Sequence, residues 1–387
     1  VEKILVFELI LTAIPIGNIG RGFEEFSSLS RFISMDEARE IALAKLIERA
    51  DTTLFSISHQ DRLYDIDRDS CVGYIFHLKP SGYIIVSSSL LLPPIVAYSW
   101  KVNYPMNLSN PFSSFVSLDL SLQLRHVKEF PDDTVAKRLE NWDTLWKQKT
   151  TSAFFQQWPP EGNTKTGGWI EATWHQNSPY NDFCPVDPST GKRSVAGCPA
   201  IAMAQIFNYY QSINHIRFSD KDDYYHNYLN KFWIDDDHEK YNFPSFPELN
   251  NYIEEIEEHF RQYRSLTDED AAALTFACGV AAKQVYSPEV SGTFGVDQAY
   301  DAYIRFNCST AKLYTESSDE MFDAIIDDIK HARPVHLAVV NPSWTAGHNL
   351  IIDGYNTNGF FHLNFGWVEH MMLGISFHWI YPLISLL

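Results

Sequence analysis

The chain has 387 residues, with 30 Lys+Arg against 49 Asp+Glu and a formal net charge of −19. So acidic a balance argues against an electrostatic footprint for nucleic acid or for an anionic lipid surface. At roughly 100–200 residues per domain the length predicts two or three domains, and an apolar content of 45% is ample for their cores.

The five cysteines, at 71, 184, 198, 278 and 308, cannot all pair within one chain. No CxxC pair occurs, so zinc ribbons and thioredoxin-like sites find no support, and at least one thiol stays free. HExxH, P-loop and GxSxG patterns are missing too, which leaves the zinc-peptidase, nucleotide and serine-hydrolase classes unsupported. No metal ion or other cofactor is expected.

In chain order, residues 4–15 (ILVFELILTAIP) are apolar apart from Glu8 and Thr12 and follow Lys3. They read as the core of a signal peptide within residues 1–20, with a buried strand or helix as the competing reading. The run is too short for a membrane span. Residues 30–48 read as a helix, because Ser34 and Glu37 make a capping-box pattern and Ala38, Ile41, Ala42 and Leu46 follow near helical spacing. Strand-like runs come next at 71–78, 83–87 and 95–99, with Lys79-Pro80-Ser81-Gly82 as a turn. A small α+β unit is therefore expected.

Residues 131–170 read as an exposed linker, with one helix-like segment around 139–146, and a domain boundary is expected near 150. The acidic stretches at 65–69 and 235–237 read as solvated turns. The first of them fails the calcium-loop template, having Ser70 at its sixth position and Phe76 at its twelfth.

In the remaining part, 200–210 (AIAMAQIFNYY) is apolar almost all round and predicts a buried helix. Gly197 precedes Cys198 and Pro199 follows it; proline suits the first helical position, so Cys198 is expected at a helix N-terminus. There the aligned peptide dipoles favour a thiolate, the form in which a thiol attacks. Residues 271–286 predict a second helix, and 335–340, 349–355 and 360–365 predict strands. His348 begins one of these strands, 150 residues after Cys198, and Asn364 lies 16 residues further on. Adjacent antiparallel strands would place Asn364 beside His348, its amide oxygen accepting from Nδ1–H and leaving Nε2 for the sulfur.

These residues carry a resemblance. Trp174-His175-Gln176-Asn177, Ala196-Gly197-Cys198-Pro199-Ala200, Ala346-Gly347-His348 and His362-Leu363-Asn364-Phe365-Gly366-Trp367 are similar, in order and spacing, to the streptopain family of cysteine peptidases. Gly82-Tyr83-Ile84-Ile85-Val86-Ser87 and Pro93-Pro94-Ile95-Val96 resemble that family's propeptide. The resemblance covers about residues 30–367. It implies an α+β, papain-like fold at 151–387, with a helical part and an antiparallel sheet part, preceded by an inhibitory α+β pro-domain at 21–150. It also implies Cys198 as nucleophile, His348 as base, Asn364 as the group orienting His348, Gln176 as an oxyanion donor and Trp367 as a cover over the Asn–His hydrogen bond.

Two departures stand out. Phe365 occupies a position where the family commonly has Trp, and the chain after Trp367 does not follow the family pattern. The expected protein is a secreted, bacterial-type, monomeric zymogen whose partners are protein substrates and its own propeptide. A catalytically impaired binding or inhibitor protein, and acyl transfer by the same Cys–His–Asn chemistry, are the alternatives. Cys71, Cys184, Cys278 and Cys308 read as small buried apolar residues; a reversible Cys184–Cys198 disulfide is the competing reading for one of them.

Overall fold

The computed structural model describes residues 5–10, 32–48, 54–65, 70–105, 111–127, 130, 132–147, 155–316, 318–340, 347–366 and 375–378. Trp367, Ala346 and nearly all of the tail after Trp367 lie outside them, as do most of residues 1–31. The chain divides into two compact units. One comprises Val1–Ile10, Glu161–Gly354 and Leu363–Met372; the other comprises Leu11–Pro160, Tyr355–His362 and Leu373–Leu387.

The apolar run near the start contributes β1 (Leu5–Ile10) to the first unit. In the second unit the capping box forms as expected. The Glu37 N–H donates to Ser34 Oγ at 3.2 Å, and the Ser34 N–H donates to Glu37 Oε2 at 2.8 Å. Two otherwise orphaned donors are thereby satisfied at the start of α1 (Met35–Glu48). β2 (Ser56–Tyr64), β3 (Cys71–Lys79), β4 (Tyr83–Ser87) and β5 (Ile95–Ser99) then pair antiparallel in sequence order, and the strand Ile375–His378 adds to β5. The turn between β3 and β4 needs glycine: Gly82 has φ +106, and a Cβ there would lie 2.2 Å from the Ser99 carbonyl oxygen.

Two further helices, α2 (Pro111–Arg125) and α3 (Asp132–Trp146), belong to this unit. The reading of 131–170 as linker is corrected over α3. Its Trp142 is buried and donates through Nε1 to the Leu92 carbonyl at 2.8 Å, and its buried Arg138 donates to the Leu91 carbonyl at 2.6 Å. Trp142 joins Ala38, Ile41, Phe76, Ile84 and Val86 in one apolar core. The short β6 (Gln157–Trp158) pairs with residues 355–356.

The first unit is built on α4 (Cys198–Tyr210), whose residues 200–207 are all buried. It then runs through the hairpin β7 (Tyr225–Tyr228) and β8 (Asn230–Trp233), α5 (His238–Tyr241), α6 (Phe246–Arg261), α7 (Asp268–Ala281), α8 (Val296–Arg305), β9 (Lys312–Tyr314) and α9 (Asp319–Lys330). The acidic run at 235–237 is not simply solvated. Asp237 accepts from the Trp233 N–H at 2.7 Å and Asp235 from the Phe246 N–H at 2.6 Å, which ties β8 to the start of α6. α7 begins at a Thr267–Asp270 capping box, three residues ahead of the expected start, and ends at Ala281 rather than 286.

β10 (Val335–Val340) pairs antiparallel with β11 (Gly347–Asn356), and β1 lies parallel between β10 and β9. β12 (Phe360–Asn364) completes a hairpin with β11; its residues Leu363 and Asn364 fall in the first unit. Ala338 and Ile351 on the β10–β11 pair share a core with Ala200, Met203, Phe207, Leu274 and Cys278 from α4 and α7. Among the described residues, no helix is long and apolar enough to cross a membrane.

Candidate active site

Cys198 is the first residue of α4, with Pro199 behind it. The turn that presents it depends on Gly197, whose φ is +86. A Cβ at that position would lie 2.7 Å from Gln284 Oε1, and Gln284 is committed to donating to the Ala196 carbonyl at 2.6 Å. Cys198 is partly exposed, whereas Cys184, Cys278 and Cys308 are buried; all five thiols are free, so no Cys184–Cys198 disulfide is formed.

The strand pairing brings β11 against the sulfur. Ala338 opposes Asn349 and His336 opposes Ile351, so by strand alternation His336, Ala338, Asn349 and Ile351 share the face that packs on α4. The Asn349 backbone N–H donates to Cys198 Sγ at 3.3 Å and its side-chain Nδ2 at 3.8 Å. The Asn349 amide is itself fixed. His336 Nε2 lies 2.8 Å from Asn349 Oδ1, and Tyr303 Oη lies 3.1 Å from His336 Nδ1. An amide oxygen only accepts, so Nε2 carries the proton; in the neutral ring Nδ1 then accepts from the Tyr303 hydroxyl. His336 and Tyr303 are fully buried, and burial holds the His336 pKa down to about 4, in the neutral form this chain of bonds requires. The chain Tyr303–His336–Asn349 thus aims an amide donor at the sulfur. Burial raises the Cys198 pKa, while the two Asn349 donors and the residue's own backbone N–H lower it. None of the three supporting residues is marked by a sequence motif; the signal available was Asn349, next to His348, facing a strand with a polar residue two positions from its partner.

His348 stands at the start of β11, one residue from this contact. Its Nε2 donates to the Phe365 carbonyl at 2.7 Å, and the two rings lie nearly parallel. A carbonyl only accepts, so Nε2 carries the proton and Nδ1 is the basic nitrogen of the neutral ring. This reverses the expected assignment. Burial is the main cause that pulls the His348 pKa down to about 4; His336 adds to it, and the Phe365 carbonyl opposes it.

Asn364 does not orient His348. Its Nδ2 donates to the Ala172 carbonyl and to Gln205 Oε1, both at 3.2 Å, and its Oδ1 accepts from the Gly366 N–H at 3.1 Å. Gln205 Oε1 also accepts from the Trp174 N–H at 3.1 Å. Asn364 and Gln205 therefore pin the end of β12 and the 172–174 segment to α4, and the backbone carbonyl of the next residue, Phe365, holds the histidine. The same segment leads to Gln176, whose carbonyl accepts from the Ala196 N–H at 2.9 Å, two residues before Cys198. Among the described residues the Gln176 side-chain amide takes no partner. Trp367 lies outside the described residues.

A thiol opening a buried helix, amide donors aimed at its sulfur and a tautomerically fixed histidine on a facing strand define a cysteine peptidase of papain-like α+β fold. The profile of the Peptidase C10 family matches residues 174–371, and the chain belongs to that family. Streptopain of Streptococcus pyogenes is 23% identical over 319 residues, covering 76% of this chain and 71% of streptopain. The thiol protease/hemagglutinin PrtT of Porphyromonas gingivalis is likewise 23% identical, over 78% of this chain, which spans 33% of the length of PrtT. Among solved structures, a prointerpain A fragment from Prevotella intermedia superposes with a TM-score of 0.55 at 18% identity, covering 83% of this chain and 92% of the fragment.

Proposed function

We propose that this chain is the precursor of a secreted bacterial cysteine endopeptidase that cleaves protein substrates. In this reading Cys198 is the nucleophile and His348 the base, acting through Nδ1. The Cys198 proton passes to Nδ1, and the thiolate attacks the scissile carbonyl carbon. The tetrahedral oxyanion accepts from the Cys198 backbone N–H and the Gln176 amide; each such donor is worth about 10²–10³ in rate. The imidazolium then returns its proton to the leaving amine, and water, deprotonated by the same nitrogen, releases the acyl group from sulfur. Asn364 is a positioning residue here; the cover that the resemblance gives to Trp367 lies outside the described residues. The observation that carries the reading is the Asn349 donor pair on Cys198 Sγ, adjacent in sequence to a histidine whose tautomer is fixed.

Residues 21–150 act as an inhibitory propeptide, cut away in the segment around 145–165, and the mature enzyme is a monomer; β1, paired with β10 and β9, favours the strand reading of the first residues over the signal-peptide one. The similarity to a prointerpain fragment over 83% of the chain supports a precursor. Burial favours a neutral thiol and a neutral imidazole in the intact chain, as a latent form requires. The same observation also suits the second reading, a non-catalytic peptidase-like binding protein. Limited proteolysis followed by a casein hydrolysis assay separates the two. Thiol-dependent activity that appears on cutting and vanishes in Cys198→Ala supports the enzyme; equal residual activity in both forms sinks it.

A further inference from the structure

In the unit that carries Cys198, the hairpin of β7 and β8 turns one face inward and one outward. Inward, Tyr224 Oη donates to the Gln284 carbonyl at 2.6 Å, and His226 Nε2 accepts from the Tyr286 N–H at 2.7 Å. Gln284 donates in turn to the Ala196 carbonyl, so the hairpin rests on the segment that backs the Cys198 turn. Outward, Tyr225 opposes Trp233 in register, with ring centroids 5.4 Å apart. The two are 47% and 45% exposed, and Leu229 at the tip is 71% exposed.

The ladder decides which backbone groups stay free. The Ile234 N–H donates to the Tyr224 carbonyl at 3.1 Å, whereas the Trp233 N–H donates away from β7, to Asp237 Oδ2 at 2.7 Å. Tyr224 and His226 are therefore bonded positions, and the N–H and C=O groups of Tyr225 and Asn227 point away from β8. Among the described residues those groups meet no partner. Free edges are commonly blunted by Lys or Pro, and β7, Tyr-His-Asn-Tyr, has neither. Five carboxylates, Asp220, Asp223, Asp235, Asp236 and Asp237, gather at the base of the hairpin, and none of them forms an ion pair among the described residues. Burial, and then repulsion from Asp236, Asp235 and Asp237, pushes the Asp223 pKa up to about 6, and Asp223 Oδ1 is buried without a hydrogen-bond partner. Lys231, opposite Asn227 and nearer the tip, leaves them unpaired.

We propose that the free edge and outward face of this hairpin form an exosite for an extended, Lys- or Arg-bearing segment of a protein substrate. That the segment belongs to a substrate rests on the peptidase reading; that it is extended and basic rests on the hairpin. A strand added beside β7 exchanges main-chain hydrogen bonds with Tyr225 and Asn227, in the manner of edge-strand recognition. Its outward side chains lie against Tyr225 and Trp233, whose ring faces attract an ammonium or guanidinium group. The unpaired carboxylates at the base supply the opposite charge, which selects basic over acidic segments. A chain held here meets the catalytic cysteine as a tethered ligand, so long basic substrates gain over short peptides.

The test uses the full chain as Cys198→Ala, so that no peptide is cut. The probe is a fluorescein-labelled peptide alternating lysine with valine; its counterpart alternates glutamate with valine, and both are followed by fluorescence anisotropy over a salt series. Saturable binding of the lysine peptide alone is expected, weakening as salt rises. Asp220→Lys combined with Asp236→Lys, both at exposed positions, should weaken it by about tenfold or more. Asn227→Pro removes an outward N–H without breaking a ladder bond, and Tyr225→Ser removes half of the aromatic pair; each should weaken binding by about threefold or more. Glu255→Lys, exposed on α6, reports attraction to the net charge alone and should leave binding unchanged. Thermal melting checks that each variant folds. Undetectable binding, equal binding of the two peptides, or a loss in Glu255→Lys as large as in the Asp220→Lys, Asp236→Lys pair overturns the proposal. No outcome depends on peptidase activity, so failure of the exosite and failure of the peptidase reading are told apart.

Discussion

Asn349→Ala is the substitution that most directly probes how the sulfur is held. It removes the Nδ2 donor 3.8 Å from Cys198 Sγ and the acceptor that His336 Nε2–H meets at 2.8 Å, but keeps the backbone donor at 3.3 Å. Two effects follow, with different sizes. His336 is fully buried, so its orphaned N–H costs about 1–3 kcal/mol of stability. The thiol loses one of the donors that lower its pKa but keeps the shorter bond, so its pKa should rise. Alkylation by iodoacetamide below the thiol pKa should then slow by about three- to tenfold, with the profile displaced to higher pH. Asn349→Asp separates the two effects: it restores an acceptor for His336 but sets a negative charge beside the sulfur, so the thiol pKa should rise further than in Asn349→Ala. The assays are a pH series of alkylation rates and urea unfolding. An unchanged thiol profile in both variants, with stability within about 0.3 kcal/mol of wild type, refutes the argument that Tyr303–His336–Asn349 positions a donor.

Gly197→Ala should combine backbone strain of about 1–3 kcal/mol at φ +86 with displacement of Gln284 from the Ala196 carbonyl; thermal melting and alkylation rate should both fall, and a variant as reactive as wild type contradicts the turn's role. Gly168→Ala puts a Cβ 2.1 Å from the buried Asp353 carboxylate, which accepts from the Ile170 N–H, and should destabilise by about 1–3 kcal/mol in urea. Acid should weaken the unit that carries Cys198. An unfolded imidazole takes its proton near 6.5, whereas folded His336 and His348 do so near 4. Between those values the unfolded state binds more protons, so stability is fully present above pH 6.5 and is lost as pH falls to 4. For His336 the loss is roughly 3 kcal/mol, and urea midpoints that stay flat over that window contradict it.

Local rules were legible where one segment satisfies itself. The Ser34–Glu37 box, the glycine turn at Gly82 and the Gly197-Cys198-Pro199 helix start all follow from neighbouring residues. Features set by tertiary register were not. The role of Asn349 depends on Ala338 lying opposite it and His336 two residues away, which only the β10–β11 pairing decides. Asn364 was placed correctly on a strand beside the site, but its amide is taken by Ala172 and Gln205. A backbone carbonyl, which leaves no trace in sequence, holds His348 instead. The polar opening at residues 131–133 reads as linker, with a helix only around 139–146; in the structure the helix begins at Asp132, and Arg138 and Trp142 anchor it by hydrogen bonds to carbonyls some fifty residues earlier.

In the proposed function, Cys198 is the reactive nucleophile of a processed peptidase. Peptide mapping by mass spectrometry tests it most directly, after limited proteolysis and exposure to an epoxide-type thiol-peptidase inhibitor. One adduct per chain is expected, on Cys198, formed faster after cutting and lost in His348→Ala. An adduct on Cys71 or another thiol, or none on Cys198 in the cut protein, would contradict it.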